Sequence, residues 1–173
     1  MKHAPFSRSN NTTPARGRVR GQKGKHILLT MTLDAMQVRE PTTTLVRDPT
    51  SAHAVCADMG QLAQEGFAVL TLNTKNKLIA RHLVTLGLAD TAPVHPREVF
   101  RPAISDSASA VILVHNHPSG DPTPSTEDLR VTRQLVEAGK VVGIRVLDHV
   151  IIGRGDTPHL SIREKGLATF DGI

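Results

Sequence analysis

Residues 110–128 read AVILVHNHPSGDPTPSTED: an unbroken apolar run ends in two histidines, then a proline- and glycine-rich loop, then a serine and an acid three apart. Five successive apolar residues, 110–114, leave no polar face toward water, so the fold must contain a strand buried on both sides. Side chains alternate along a strand, which turns His115 and His117 to the same side at its end. One ion can then be held by both. Two histidines, a carboxylate and an open fourth position make up a hydrolytic zinc site. Asp128, at the expected start of a helix, is the third ligand that the order His-x-His-x7-Ser-x2-Asp offers.

Each of these residues also has a plainer reading. Ser125-Thr126-Glu127-Asp128 fits a capping box, with Ser125 as N-cap and an acid three residues later reaching back to it. A His-x-His alone is common at surfaces and in cores. The joint pattern is what points to a metal, because the strand and the helix around it are predicted independently. Competing readings fail. The adjacent His115-Asn116-His117 is not the scattered pattern of HNH nucleases. An amidohydrolase barrel needs about 250 residues and this chain has 173. A zinc deaminase requires a P-C-x-x-C segment, and the only cysteine is Cys56.

The run PREVFRPAISDSASAVILVHNHPSGDPTPSTEDLRVTRQLVEAGKVVGIRVLDHVIIG, residues 96–153, closely resembles the RadC family, a branch of the JAB/MPN domains that carry the JAMM motif. With the upstream EGFAVLTLNTKN, residues 65–76, the resemblance covers about residues 45–166. It implies a cytidine-deaminase-like α/β fold and a zinc-dependent hydrolase, often a peptidase or isopeptidase. In that pattern Zn2+ is bound by His115, His117 and Asp128, Ser125 helps stabilise the tetrahedral intermediate, and an upstream glutamate is the general base. Glu65 fits the order of that pattern, an acid just before an early apolar strand. Glu98, at the start of an expected helix where the dipole favours a carboxylate anyway, is the rival. Longer RadC proteins carry an N-terminal helix-hairpin-helix region associated with DNA; the expectation here is a short form without it.

Charge is unevenly placed. Lys2, Arg8, Arg16, Arg18, Arg20, Lys23 and Lys25 precede the first acid, Asp34; taking these seven from 21 leaves 14 basic against 16 acidic residues in the remainder. Residues 1–25, with hardly any apolar anchor, read as a disordered basic arm capable of weak, nonspecific phosphate contact with nucleic acid. The plainer reading is a solubilising extension. Residues 26–47 read as a linker or loosely packed lead-in, 48–166 as the JAB/MPN domain and 167–173 as a tail. A single cysteine excludes an internal disulfide framework and suits a reducing cytoplasm. The sequence has no apolar run long enough for a membrane span. Without Trp or Tyr, a base-stacking platform for single-stranded nucleic acid is not expected.

The periodicity predicts a mixed sheet flanked by helices in the order αββαβαββ. A helix opens at Asp48-Pro49-Thr50-Ser51 and ends near Gly66. Residues 67–72 and 78–84 form a hairpin through Asn73-Thr74-Lys75-Asn76. A short helix starts at Pro96 and is limited or kinked by Pro102. Residues 110–115 form the buried strand, and 125–138 a helix with Gly139 at its C-cap. Strands at 144–152 and 160–162 follow. Asp148 and His149 lie within the strand after that helix; packed core residues are the plainer reading, and partners that orient a zinc-bound histidine the functional one. His3, His26, His53, His82, His95 and His159 have no ligand spacing.

Three function classes follow: a zinc metallohydrolase acting on a peptide or protein substrate, a nucleic-acid-associated protein, and a catalytically silent scaffold.

Overall fold

The computed structural model describes residues 43–87 and 94–170, all within a compact unit spanning Arg39–Ile173. The expected basic arm at 1–25 and most of the lead-in lie outside the described residues. The elements are α1 (Pro49–Cys56), a 3-10 turn (Ala57–Gln61), β1 (Gly66–Leu72), β2 (Leu78–Leu86), α2 (Pro96–Ser105), β3 (Ala110–Asn116), α3 (Thr126–Val142), β4 (Arg145–Ile152) and β5 (His159–Ser161). No described helix is long and apolar enough to cross a membrane.

The five strands form one mixed sheet in the order β2-β1-β3-β4-β5. Only β3 and β4 run parallel, joined through α3; the other neighbours are antiparallel. Helices cover both faces. Ala52, Cys56 and Met59 pack on Ala68, Leu70, Ile112 and Val150 on one side. On the other, Val99 and Phe100 of α2 and Val131 and Leu135 of α3 pack on Val69, Val111, Leu113 and Val146. Every residue of β1 and β3 is buried, as a strand covered on two faces must be. Val46, inside the expected lead-in, already belongs to the core.

Four elements depart from the sequence expectation by two residues or more. α1 stops at Cys56 and the chain runs on as a 3-10 turn to Gln61. Pro102 does not end α2, which continues to Ser105 because Ala103 is buried with Val99 and Phe100 and packing outweighs the missing hydrogen bond. α3 does not end at Gly139. It runs to Val142 and is capped by Gly143 at φ 73°, the left-handed conformation that glycine adopts without strain. Gly139 serves a different purpose, since a Cβ there would lie 2.6 Å from the Ile144 carbonyl oxygen, where α3 meets the start of β4. β2 also extends two residues beyond the expected end, to Leu86.

A bulge in β4 matters for the site. Between Val111 and Ile112 the β3 register moves from Val146 to Asp148, inserting one residue. Leu147 packs in the α1-side core while Val146 packs in the α3-side core. The extra residue resets the alternation, so that His149 faces α3, where its ring meets Thr132.

Candidate metal centre

β3 delivers His115 near its end as a fully enclosed side chain, 1% exposed, on the face shared with Leu113 and toward α3. His117 follows in the loop on the same side, half-buried. Ser125 caps α3, accepting from the Asp128 amide at 3.1 Å, and Asp128 reaches back to the Ser125 amide at 2.7 Å. The capping box is therefore real. It does not displace the metal reading, because it fixes the Asp128 carboxylate directly opposite the two imidazoles.

The distances are those of one coordination sphere. Nε2 of His115 and Nε2 of His117 are 3.0 Å apart. Asp128 Oδ1 lies 3.2 Å from His115 Nε2, and Asp128 Oδ2 lies 3.4 Å from His117 Nε2. Tetrahedral ligation with bonds of about 2.0–2.1 Å separates neighbouring donor atoms by about 3.3 Å. Among the described residues this is the one cluster of His, Cys, Asp or Glu with three donors positioned to hold a metal ion.

The electrostatics agree. Burial alone would raise the Asp128 carboxyl, but its interactions with the His115 and His117 imidazoles and its hydrogen bonds with Ser125 outweigh that and hold it far below the ordinary carboxylate range. Asp128 in turn raises the affinity of His117 for a proton, against the opposing effect of burial. A cluster of this kind attracts a cation, whether a proton or a metal ion. His117 Nδ1 lies 2.7 Å from the Asp121 carbonyl oxygen. A carbonyl can only accept, so His117 carries its proton on Nδ1 and turns Nε2 to the cluster.

Glu65 lies exposed immediately before β1, two residues ahead of Phe67, whose register partner is His115. Its charge reaches His117. Its backbone is held from three sides: the Glu65 carbonyl accepts from Gly87 N at 2.9 Å, and the Asn116 side chain accepts from Gly66 N at 2.8 Å and donates to the Gln64 carbonyl at 3.1 Å. Asn116, the middle letter of the histidine motif, thus clamps both peptide groups that flank Glu65. The sequence reading missed it; an amide buried at a strand end is the signal that could have marked it. Glu98 is elsewhere. It pairs with Arg97 and Arg101 on α2 at 3.1 and 3.6 Å and has no contact with the histidine pair or Asp128. Ser125 Oγ accepts from the Asp128 amide and donates to Asp128 Oδ2 at 2.7 Å.

Of the adjacent pair in β4, only one residue joins the site. His149 Nε2 is 2.8 Å from His115 Nδ1. Asp148 points to the α1 side and accepts from Ser161 Oγ and from the amides of His149 and Arg163. Burial raises its carboxyl, against these bonds. Its role is to tie β5 and the segment after it to β4.

Residues 46–167 match the family described as RadC-like JAB domain. The chain belongs to this family. It is 57% identical over 114 residues to a UPF0758 protein of Caldanaerobacter subterraneus subsp. tengcongensis, covering 66% of this chain and 48% of that one. It is 49% identical over 127 residues to a UPF0758 protein of Desulforamulus reducens, covering 73% and 55%. A third, from Alkaliphilus metalliredigens, is 45% identical over 144 residues, covering 83% and 58%. The chain therefore spans about half the length of the curated relatives it matches. The five-stranded mixed sheet with three helices agrees with a JAB/MPN domain of the α/β class.

Proposed function

We propose that this JAB domain is a zinc-dependent hydrolase that cleaves peptide or isopeptide bonds, with His115, His117 and Asp128 as ligands and Glu65 as general base. The observation that carries the proposal is the convergence of two imidazole nitrogens and a carboxylate at tetrahedral spacing beside an exposed carboxylate. Two nitrogens and one oxygen suit zinc, and three protein ligands leave the fourth position open, as catalytic rather than structural sites do. When bound, zinc supplies Lewis acidity, polarising a carbonyl and making a water molecule far more acidic than in bulk.

The chain's own groups do the rest. The Glu65 carboxylate takes a proton from the attacking water and returns it to the amide nitrogen as the C–N bond breaks. Asn116 keeps that carboxylate in place by gripping its backbone on both sides. Ser125 Oγ exchanges its hydrogen bond to Asp128 for one to the developing oxyanion. A silent scaffold would have no use for a complete donor set with an acid beside it.

The test is a panel of peptide and isopeptide substrates cleaved by zinc-supplied protein, comparing wild type with Glu65→Gln and Glu98→Gln. Glu65→Gln should lower the rate by about 10²- to 10⁴-fold while metal content stays unchanged, and Glu98→Gln should behave as wild type. Full activity in Glu65→Gln would remove it as the base. A zinc-loaded wild type inert toward the whole panel would count against peptide hydrolysis.

A further inference from the structure

The metal-facing nitrogen of His115 is selected by a chain of three hydrogen bonds that starts from the Asp128 carbonyl. Thr132 Oγ1 lies 2.6 Å from the Asp128 carbonyl oxygen and 2.6 Å from His149 Nδ1. His149 Nε2 lies 2.8 Å from His115 Nδ1. His115 Nε2, at the far end of this hydrogen-bond chain, faces the Asp128 carboxylate, with Oδ1 3.2 Å away. Thr132, His115 and His149 are all buried, at no more than 1% exposure.

Proton counting leaves one arrangement. The Asp128 carbonyl can only accept, so the single hydroxyl proton of Thr132 goes to it. Thr132 Oγ1 must then accept from His149, which places a proton on His149 Nδ1. His149 is fully enclosed, and the groups its two ring nitrogens meet are Thr132 Oγ1 and His115 Nδ1, neither of them a carboxylate, so it carries the single proton of a neutral imidazole. Its Nε2 is therefore bare and accepts from His115 Nδ1–H. His115 thus keeps its proton on Nδ1 and turns Nε2 toward His117 and Asp128.

We infer that Thr132 and His149 are positioning residues that fix the tautomer and ring orientation of His115 for metal binding. The two histidine ligands are thereby set the same way by different means: His117 by a loop carbonyl, His115 by a hydroxyl relayed through a second imidazole. The bulge in β4 is what makes the relay possible, because it is what turns His149 toward Thr132. Since Thr132 also bonds the Asp128 backbone, it couples two ligands at once. The inference rests on the metal reading for its consequence and on the hydrogen-bond chain alone for its geometry, and the two can be tested apart.

The geometry is tested on metal-free wild type by 15N–1H correlation of the histidine side chains. Protons on Nδ1 of both His115 and His149, with His149 Nε2 bare, are expected; a His149 ring protonated on Nε2 would overturn the inference without any variant. The consequence is tested by chelator competition with Zn2+ on wild type, Thr132→Val and Thr132→Ser. Thr132→Val, which keeps the shape and loses the hydroxyl, should bind about 10- to 100-fold more weakly, and Thr132→Ser should recover to within about threefold of wild type, as restoring the hydroxyl restores the proton order. Equal affinity in all three, or a serine variant as weak as valine, would overturn it. No Zn2+ binding by wild type while the tautomers are as expected would sink the metal reading and leave the hydrogen-bond chain intact.

Discussion

His115 and His117 stand two residues apart and face the same cluster, yet they belong to different parts of the molecule. His115 is a core residue: its ring stacks beside Phe67 at 6.1 Å between centroids and is held through His149 and Thr132 by β4 and α3. His117 is a loop residue: its partner is the Asp121 carbonyl, and the loop is held by bonds from Gly120 N to the His117 carbonyl and from Arg154 N to the Gly120 carbonyl. The Arg154 guanidinium also donates to the Pro118 carbonyl. A cluster built half from core and half from loop has one wall whose movement requires opening the core and one held by loop hydrogen bonds.

The sharpest way to break this contrast is to truncate each histidine in metal-free protein and measure urea denaturation. His115→Ala leaves a buried gap and an unpaired His149 nitrogen, at an expected cost of about 2–4 kcal/mol. His117→Ala, half-exposed, should cost less than about 1 kcal/mol. Equal costs would erase the distinction between core and loop ligands.

Asn116 lies between these extremes. Asn116→Ala strips two hydrogen bonds from the peptides flanking Glu65, so a loss of about 1–3 kcal/mol is expected. With it, kcat should fall by about tenfold as the carboxylate loses its fixed position, while KM holds within about twofold. Steady-state kinetics beside denaturation would check both, and a normal kcat in a destabilised variant would reduce Asn116 to a structural residue.

Cys56 offers a gentler probe of the same contrast. It is the last residue of α1 and fully buried, and burial pushes its thiol up to about 11, so alkylation at pH 8 should report opening of the core. Thr132→Val should speed that alkylation several-fold and Arg154→Ala should leave it unchanged. Arg154→Ala is the smallest expected effect, within about 0.5 kcal/mol in stability, with faster metal exchange as its main sign. Comparable alkylation rates in the two variants would show that the loop and the core open together.

Much of this was legible in the letters. The alternation that brings His115 and His117 to one side, the capping box that fixes Asp128 and the hairpin through Asn73–Asn76 are local, and local pattern carries them. Ser125 and Asp128 had two readings, cap or site, and the structure satisfies the cap while aiming the carboxylate at the histidines. What was not legible depends on contacts distant in sequence. Thr132 and His149 are 17 residues apart and meet only because β4 lies parallel to β3 and carries a bulge. Asn116 reaches the Glu65 segment from 50 residues away. Gly139 was misread as a cap because a glycine needed for close packing and one needed for a left-handed turn look the same in a sequence. Pro102 shows the reverse: of the two effects expected of it, ending the helix or kinking it, the ending is overruled by the burial of its neighbours.

The central claim is that His115, His117 and Asp128 hold one metal ion. The most direct measurement is elemental analysis of protein purified without added metal or chelator, for wild type, His115→Ala and Asp128→Ala. About one zinc per chain in wild type, lost in both variants while they remain folded, is the predicted result. No metal in wild type even after zinc is supplied, or zinc retained in both variants, would contradict it.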